Sequence, residues 1–273
     1  MHSTRSTHRS AIPNDASPKQ SYEVGSVRKA MELLGCFTRD AGSWALSDLA
    51  RRLEIPKSTA HNLLRTLQSF DLVRQDADSR AYRLGPRAME LGLIFARQNE
   101  ILAQARPVLR RLAELSGETV KLGILSNEQV LIVAAVESAH QLHTRGDIGT
   151  RWPLHSTGMG KAILSALPLP EAIEMVSRHG FAAYTPHTIS SVEQLQREWK
   201  RTRTKGFSFD AEESEAGVSC IGIPVGDPLQ GTIGAISISG PSVRIRPQQA
   251  EQFARQAIAA ARAASLSYPL EHS

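Results

Sequence analysis

The chain has 273 residues, 41% of them hydrophobic, and a net charge of +5, enough apolar material for two modest cores. No run of about 18 apolar residues occurs, which argues against a helical membrane span. The polar start MHSTRSTHRSAIPNDASPKQS lacks the apolar centre of a secretory signal, so a cytoplasmic protein with a disordered tail over 1–21 is expected. Cys36 and Cys220 form no CxxC pair and read as free thiols, as in a reducing compartment. The nine histidines show no HxH or HExxH spacing, so no metal is expected, and nothing in the chain calls for a cofactor.

Charge is distributed unevenly. Residues 1–98 hold 15 Lys+Arg against 10 Asp+Glu, whereas residues 99–273 hold 17 of each. The whole excess falls in the N-terminal part, which suits an anionic polymer as the partner of that part alone.

In chain order, Val27, Ala30, Met31, Leu34 and Phe37 recur at helical spacing and predict a first helix over 26–37, followed by a polar turn at 39–43. A short second helix follows over 46–53, with Ser47 as its expected N-cap. Glu54-Ile55-Pro56 interrupts it, and proline is well placed to start the next helix, 56–70. Ala60, Leu63, Leu64, Leu67 and Phe70 form that helix's expected buried face. Residues 72–84 read as a hairpin around Asp76-Ala77-Asp78-Ser79. Helices are predicted over 87–98 and 101–116, the latter bent or restarted at Pro107.

The second half mixes strands and helices without a βαβ rhythm. Apolar runs at 119–125 and 130–136 flank Asn127-Glu128; helices are expected at about 159–167, 170–179 and 191–205, strands at about 207–212, 218–225 and 232–239, and an Ala-rich closing helix over 247–266. An α+β domain with a largely antiparallel sheet fits this order.

Two helices, a tight connection, a third helix and a hairpin make a winged helix-turn-helix. Burying the leucines of helix 56–70 turns Lys57, Ser58, Thr59, Asn62, Arg65 and Thr66 outward. In such motifs the second helix of the pair enters the major groove, and these residue types read base edges or grip phosphates. Arg74, Arg80 and Arg83 on the hairpin add candidate phosphate or minor-groove contacts.

In the second half, His155-Ser156-Thr157-Gly158-Met159-Gly160-Lys161 fails as a phosphate loop, because His155 and Ala162 occupy the required Gly and Ser/Thr positions. What remains is a Gly-rich turn opening a helix, whose N–H groups suit a small anion. Ser237 and Ser239 share one face of a strand. If that face is inward, their hydroxyls need partners: a polar ligand, buried water or backbone carbonyls. Cys220 has no assignable base beside it and no GxSxG elbow exists, so no enzyme is expected. The acids Asp210, Glu212, Glu213 and Glu215 read as a solvated run.

LSDLARRLEIPKSTAHNLLRTLQSFDLVRQDADSRAYRLGPRAMELG resembles the DNA-binding domain of IclR-type transcriptional regulators. The likeness continues through LRRLAELSGETVKLGIL, LHSTGMGKAILSALP and FSFDAEESEAGVSCIGIPV, covering about 23–265. It implies a winged helix-turn-helix over 22–85, a linker helix over 86–99 and a GAF-like effector domain over 100–268. It also implies a homodimer, often a dimer of dimers, on a pseudopalindromic operator in double-stranded DNA, under control of a small-molecule effector. Matched one by one, the family's effector-contacting positions fall on Gly158, Met159, Asp210, Cys220, Ser237 and Ser239, with Met159 contributing its backbone N–H.

Overall fold

A computed structural model describes residues 23–38, 41–227, 232–266 and 268. The tail expected over 1–21 and the start of the turn at 39–40 lie outside the described residues. The chain divides into two units, one ending at Leu93 and the other beginning at Ile94.

The N-terminal unit contains α1 (Gly25–Gly35), α2 (Leu46–Arg52), α3 (Lys57–Ser69), β1 (Val73–Gln75) and β2 (Tyr82–Leu84). Helix α4 (Pro86–Gln98) starts in it and runs past Leu93. The α2–α3 turn uses Glu54 at φ 53, and Pro56, extended at φ −57, is the N-cap of α3. Ala60, Leu64 and Leu67 are buried at i, i+4 and i+7, the spacing of one helix face. With Leu33, Cys36, Leu49, Val73 and Tyr82 they make the core. Strands β1 and β2 pair antiparallel, Val73 opposite Leu84, and Trp44 bridges to Tyr82, adding a short third edge. Trp44 also donates its indole N–H to the Cys36 carbonyl at 2.9 Å, fixing the loop before α2.

Several expectations need correction here. Phe70 follows the end of α3 and is 67% exposed, because the buried stripe ends at Leu67. Val27 and Met31 are also exposed, since α1 turns Leu33 inward instead. Ser47 is not the cap of α2: the helix begins one residue before it, with Ala45 at the N-cap and no side-chain cap bond.

The C-terminal unit starts with α5 (Glu100–Ser116), capped by the Asn99 side chain, which accepts from the Leu102 N–H. Pro107 lies inside α5, which continues through it, so of the two expectations, a bend or a restart, the restart does not occur; burial of Ile101, Leu102, Ala105, Val108, Leu109 and Leu112 holds the helix together on both sides. Then come β3 (Thr119–Ser126), β4 (Gln129–Val136), β5 (Arg151–Trp152), α6 (Gly158–Ala166), α7 (Leu169–His179), α8 (Val192–Lys205), β6 (Ser208–Ala211), β7 (Val218–Asp227), β8 (Thr232–Pro241) and α9 (Pro247–Ala263). Strand β5 was not foreseen, its two residues being too few for a periodicity signal.

The six strands form one antiparallel sheet in the order β5-β4-β3-β8-β7-β6. Period-two alternation divides its residues. Val120, Leu122, Ile221, Ile223, Ile236 and Ile238 join α5 and α9 in one apolar core. On β4, Val130 and Ile132 join α6, α7 and α8 in a second core. The face toward α6 carries instead the cross-strand rows Thr119–Ser239–Cys220–Asp210 and Lys121–Ser237–Gly222–Ser208. A polar surface thus lies between the sheet and the start of α6.

Candidate nucleic-acid interface and effector pocket

Helix α3 presents Lys57, Ser58, Asn62, Arg65 and Thr66 as exposed residues, with Thr59 half-buried. Ser58, Asn62 and Arg65 follow one another at i, i+4 and i+7 on one face. His61 is exposed beside them. Sequence reasoning passed over His61, although its place between Ser58 and Arg65 was signal enough. No acidic residue occurs in α3. On the wing the arginines differ. Arg74 makes two hydrogen bonds to Asp71, at 3.0 and 3.1 Å, and Arg83 bonds Asp76 at 2.8 Å. Arg80 sits exposed at the tip with φ 57 and has no ion pair among the described residues. It is the wing cation most available to a phosphate.

In the C-terminal unit, a cavity of about 520 Å³ opens at the N-terminus of α6. Gly158, Met159, Asp210, Cys220, Ser237 and Ser239 all line it, so the structure brings together the six positions named from sequence. The Thr157 side chain caps α6 by accepting from the Gly160 N–H at 3.0 Å, which leaves the Gly158 and Met159 N–H groups at the open helix end. The helix reaches the sheet because Gly222 lacks a side chain: a Cβ there would collide with the Gly158 carbonyl, and the Ser208 hydroxyl donates to that same carbonyl at 2.5 Å. Ser237 and Ser239 are almost fully buried, and their hydroxyls lie 3.1 Å apart in a mutual hydrogen bond. Each oxygen retains capacity for a further partner.

Asp210 is fully buried. It accepts from the Glu213 N–H at 2.7 Å and the Ser214 hydroxyl at 2.8 Å. Burial still pushes its pKa above the usual carboxylate range, against the pull of Lys161 and these hydrogen bonds. Burial likewise pushes the Cys220 thiol up to about 12. A thiol held so firmly protonated is a poor nucleophile.

The acidic run is not uniformly solvated as expected. Glu213 is buried along with Asp210, and Lys161 explains it. The Lys161 side chain is 1% exposed; its ammonium lies 2.5 Å from Glu213 and 3.2 Å from Glu198, and donates to the Phe209 carbonyl at 2.7 Å. This knot ties α6 to α8 and to the 209–213 segment that carries Asp210. Burial raises Glu213 to about 7, with Lys161 opposing. Lys161 was read from sequence only as part of a failed phosphate loop. Its role depends on residues 37 and 52 positions away, which no local pattern reveals. Among the described residues no cluster of His, Cys, Asp and Glu suits a metal ion.

Lys121 was also missed. It lines the cavity from β3, is nine-tenths buried, and makes no hydrogen bond or ion pair among the described residues. Burial lowers its pKa, with Cys220, Glu215 and Glu137 opposing. The available signal was a lysine in the otherwise apolar stretch TVKLGIL, two residues from Thr119 and therefore on the same face.

Comparison with known proteins matches residues 26–77 to the IclR helix-turn-helix domain and residues 95–266 to the bacterial transcriptional regulator IclR C-terminal domain. The chain belongs to the IclR family. It is 35% identical over 248 residues to the transcriptional repressor IclR of Escherichia coli K12, covering 90% of each chain. It is 31% identical over 237 residues to the HTH-type transcriptional repressor AllR of Klebsiella pneumoniae, covering 87% of each. Among solved structures, the IclR transcriptional regulator of Alicyclobacillus acidocaldarius superposes with a TM-score of 0.80 at 26% identity, covering 89% of this chain and 98% of that one. As an IclR-family member the chain is a transcriptional regulator, with a helix-turn-helix DNA-binding domain followed by an effector-binding domain, and not an enzyme. No described helix is long and apolar enough to cross a membrane.

Proposed function

We propose that this protein is a cytoplasmic repressor that reads a pseudopalindromic operator through α3 and is governed by a small carboxylate bound at the N-terminus of α6. The observation that carries the effector half is the meeting of open helix amides, paired serine hydroxyls and a buried carboxyl in one cavity. The ligand carboxylate takes the Gly158 and Met159 amides and the Ser237 and Ser239 hydroxyls, as anions do at helix N-termini. Asp210 accepts from a ligand hydroxyl or amine, and Cys220 lies alongside as an inert thiol. Repression follows the naming of both relatives above as repressors.

On DNA, Lys57, Ser58, Thr59, Asn62 and Arg65 face the major groove, while Arg74 and Arg80 hold the backbone beside it. The assignment divides the chain into a winged helix-turn-helix over 22–85, a linker over 86–99 and an effector and oligomerisation domain over 100–268. The protein works as a homodimer, assembling further into a dimer of dimers. Supporting this, α4 buries no residue and exposes Met89, Leu91, Leu93, Ile94 and Phe95, more apolar surface than a solvated helix normally carries.

The test is a quantitative mobility-shift assay with DNA from upstream of the protein's own gene, competed by unrelated DNA. A complex that resists the competitor is expected. Equal competition by unrelated DNA contradicts the proposal.

A further inference from the structure

The N-terminus of α6 and Ser237/Ser239 form one anion anchor of the cavity. Lys121 supplies another positive charge, directly across the strand pair from Ser237 but away from the α6 end of that anchor. Its strand, β3, pairs with β8, which pairs with β7, where Gly222 lies under Gly158. Two strand spacings, roughly 10 Å of backbone, therefore separate the lysine's Cα from the sheet beneath the helix end. Its stem is buried and nothing among the described residues accepts from its ammonium. Two of the three acids that line the cavity are placed otherwise. Asp210 is engaged by Ser214 and the Glu213 N–H, and Glu215 stands exposed on the rim. Arg145, exposed on the rim of the same cavity, adds positive charge.

Burial of the Lys121 side chain thins the hydration of an ammonium that makes no direct ion pair among the described residues, and a ligand anion that reaches it makes that contact. We propose that the effector carries two acidic groups, one held at the α6 amides and the other by Lys121. The effector class is thus a short dicarboxylate, or an aromatic acid with two carboxyl groups. This rests on the carboxylate-effector reading above and narrows it.

The experiment is calorimetric titration of the full-length protein with matched pairs of acids: succinate against butyrate, glutarate against valerate, adipate against hexanoate, isophthalate against benzoate. For at least one pair the diacid should bind roughly tenfold or more tighter than its monoacid, the effect of one charge-assisted contact. Lys121→Met keeps the stem and removes the charge. It should cost the diacid that same factor and the monoacid much less, and so remove most of the preference. Circular dichroism and the ligand-free melting temperature check that the variant folds; if it does not, the matched pairs on wild-type protein decide alone. Monoacids binding as tightly as diacids in every pair, or a diacid preference that survives largely undiminished in a folded Lys121→Met, overturns the inference and leaves the carboxylate reading intact. Failure of every acid to bind overturns both.

Discussion

The two units differ in where they keep their polar chemistry. Among the described residues, every buried polar or charged side chain belongs to the C-terminal unit, from Glu118 to Ser239. The N-terminal unit buries only a small apolar core and turns its chemistry outward on α3 and the wing. A surface that reads DNA must meet a polymer larger than itself, so its cations remain solvated until contact. A pocket that senses a small molecule must exclude water, so its groups are desolvated beforehand and held by partners such as Lys161, Glu198 and Glu213. Both uses of polarity are visible in one chain.

That contrast can be broken or sharpened by substitution. The largest effect is expected from Lys161→Met, which leaves Glu198 and Glu213 buried without their cation. Breaking such a pair costs about 3–5 kcal/mol, so denaturant unfolding should show the C-terminal transition greatly weakened while the N-terminal one stays in place. A single shifted transition for the whole chain would contradict the separation drawn here. Leu64→Ala is the mirror experiment. Leu64 is fully buried in the N-terminal core, and its truncation should cost about 2–5 kcal/mol. DNA affinity should fall with it, while acid binding measured by calorimetry is retained.

A smaller effect is expected on recognition alone. Arg65 is exposed on α3, so Arg65→Ala should leave the melting temperature unchanged and weaken operator binding by about 1–3 kcal/mol. Unchanged affinity would remove Arg65 from the reading face.

The most specific effect concerns pH. Glu213 faces Lys161 from α6, Glu198 from α8 and Asp210 from β6. Its pKa is raised from 4.5 to about 7 in the folded state. Between these values the folded protein retains a proton that the unfolded chain has lost. The stability this group contributes is therefore full below about pH 4.5 and drains away as pH rises to about 7. Glu213→Gln has no such proton, so its stability relative to wild type should improve steadily over pH 4.5–7. A difference independent of pH contradicts the assignment.

Legibility in the sequence followed the same division. The α3 face could be read because helical spacing alone separates Leu64 and Leu67 from Asn62 and Arg65, and no distant residue is needed to finish the argument. The six pocket positions followed from likeness to a family; strand alternation alone pairs only Ser237 with Ser239. Lys161 and Glu213 stayed hidden because their meaning lies in a contact across 52 residues. Both misreadings fall at helix ends: Phe70 extends the stripe one residue past the end of α3, and Ser47 lies just inside α2 instead of capping it.

The central claim is that acid binding in one unit governs DNA binding by the other. Fluorescence anisotropy with labelled DNA from upstream of the protein's own gene tests it directly, titrated with and without an acid that calorimetry shows to bind. The account predicts sequence-specific binding whose affinity changes by about 5–150-fold when the acid is present. Specific binding of identical affinity with and without the acid would contradict it.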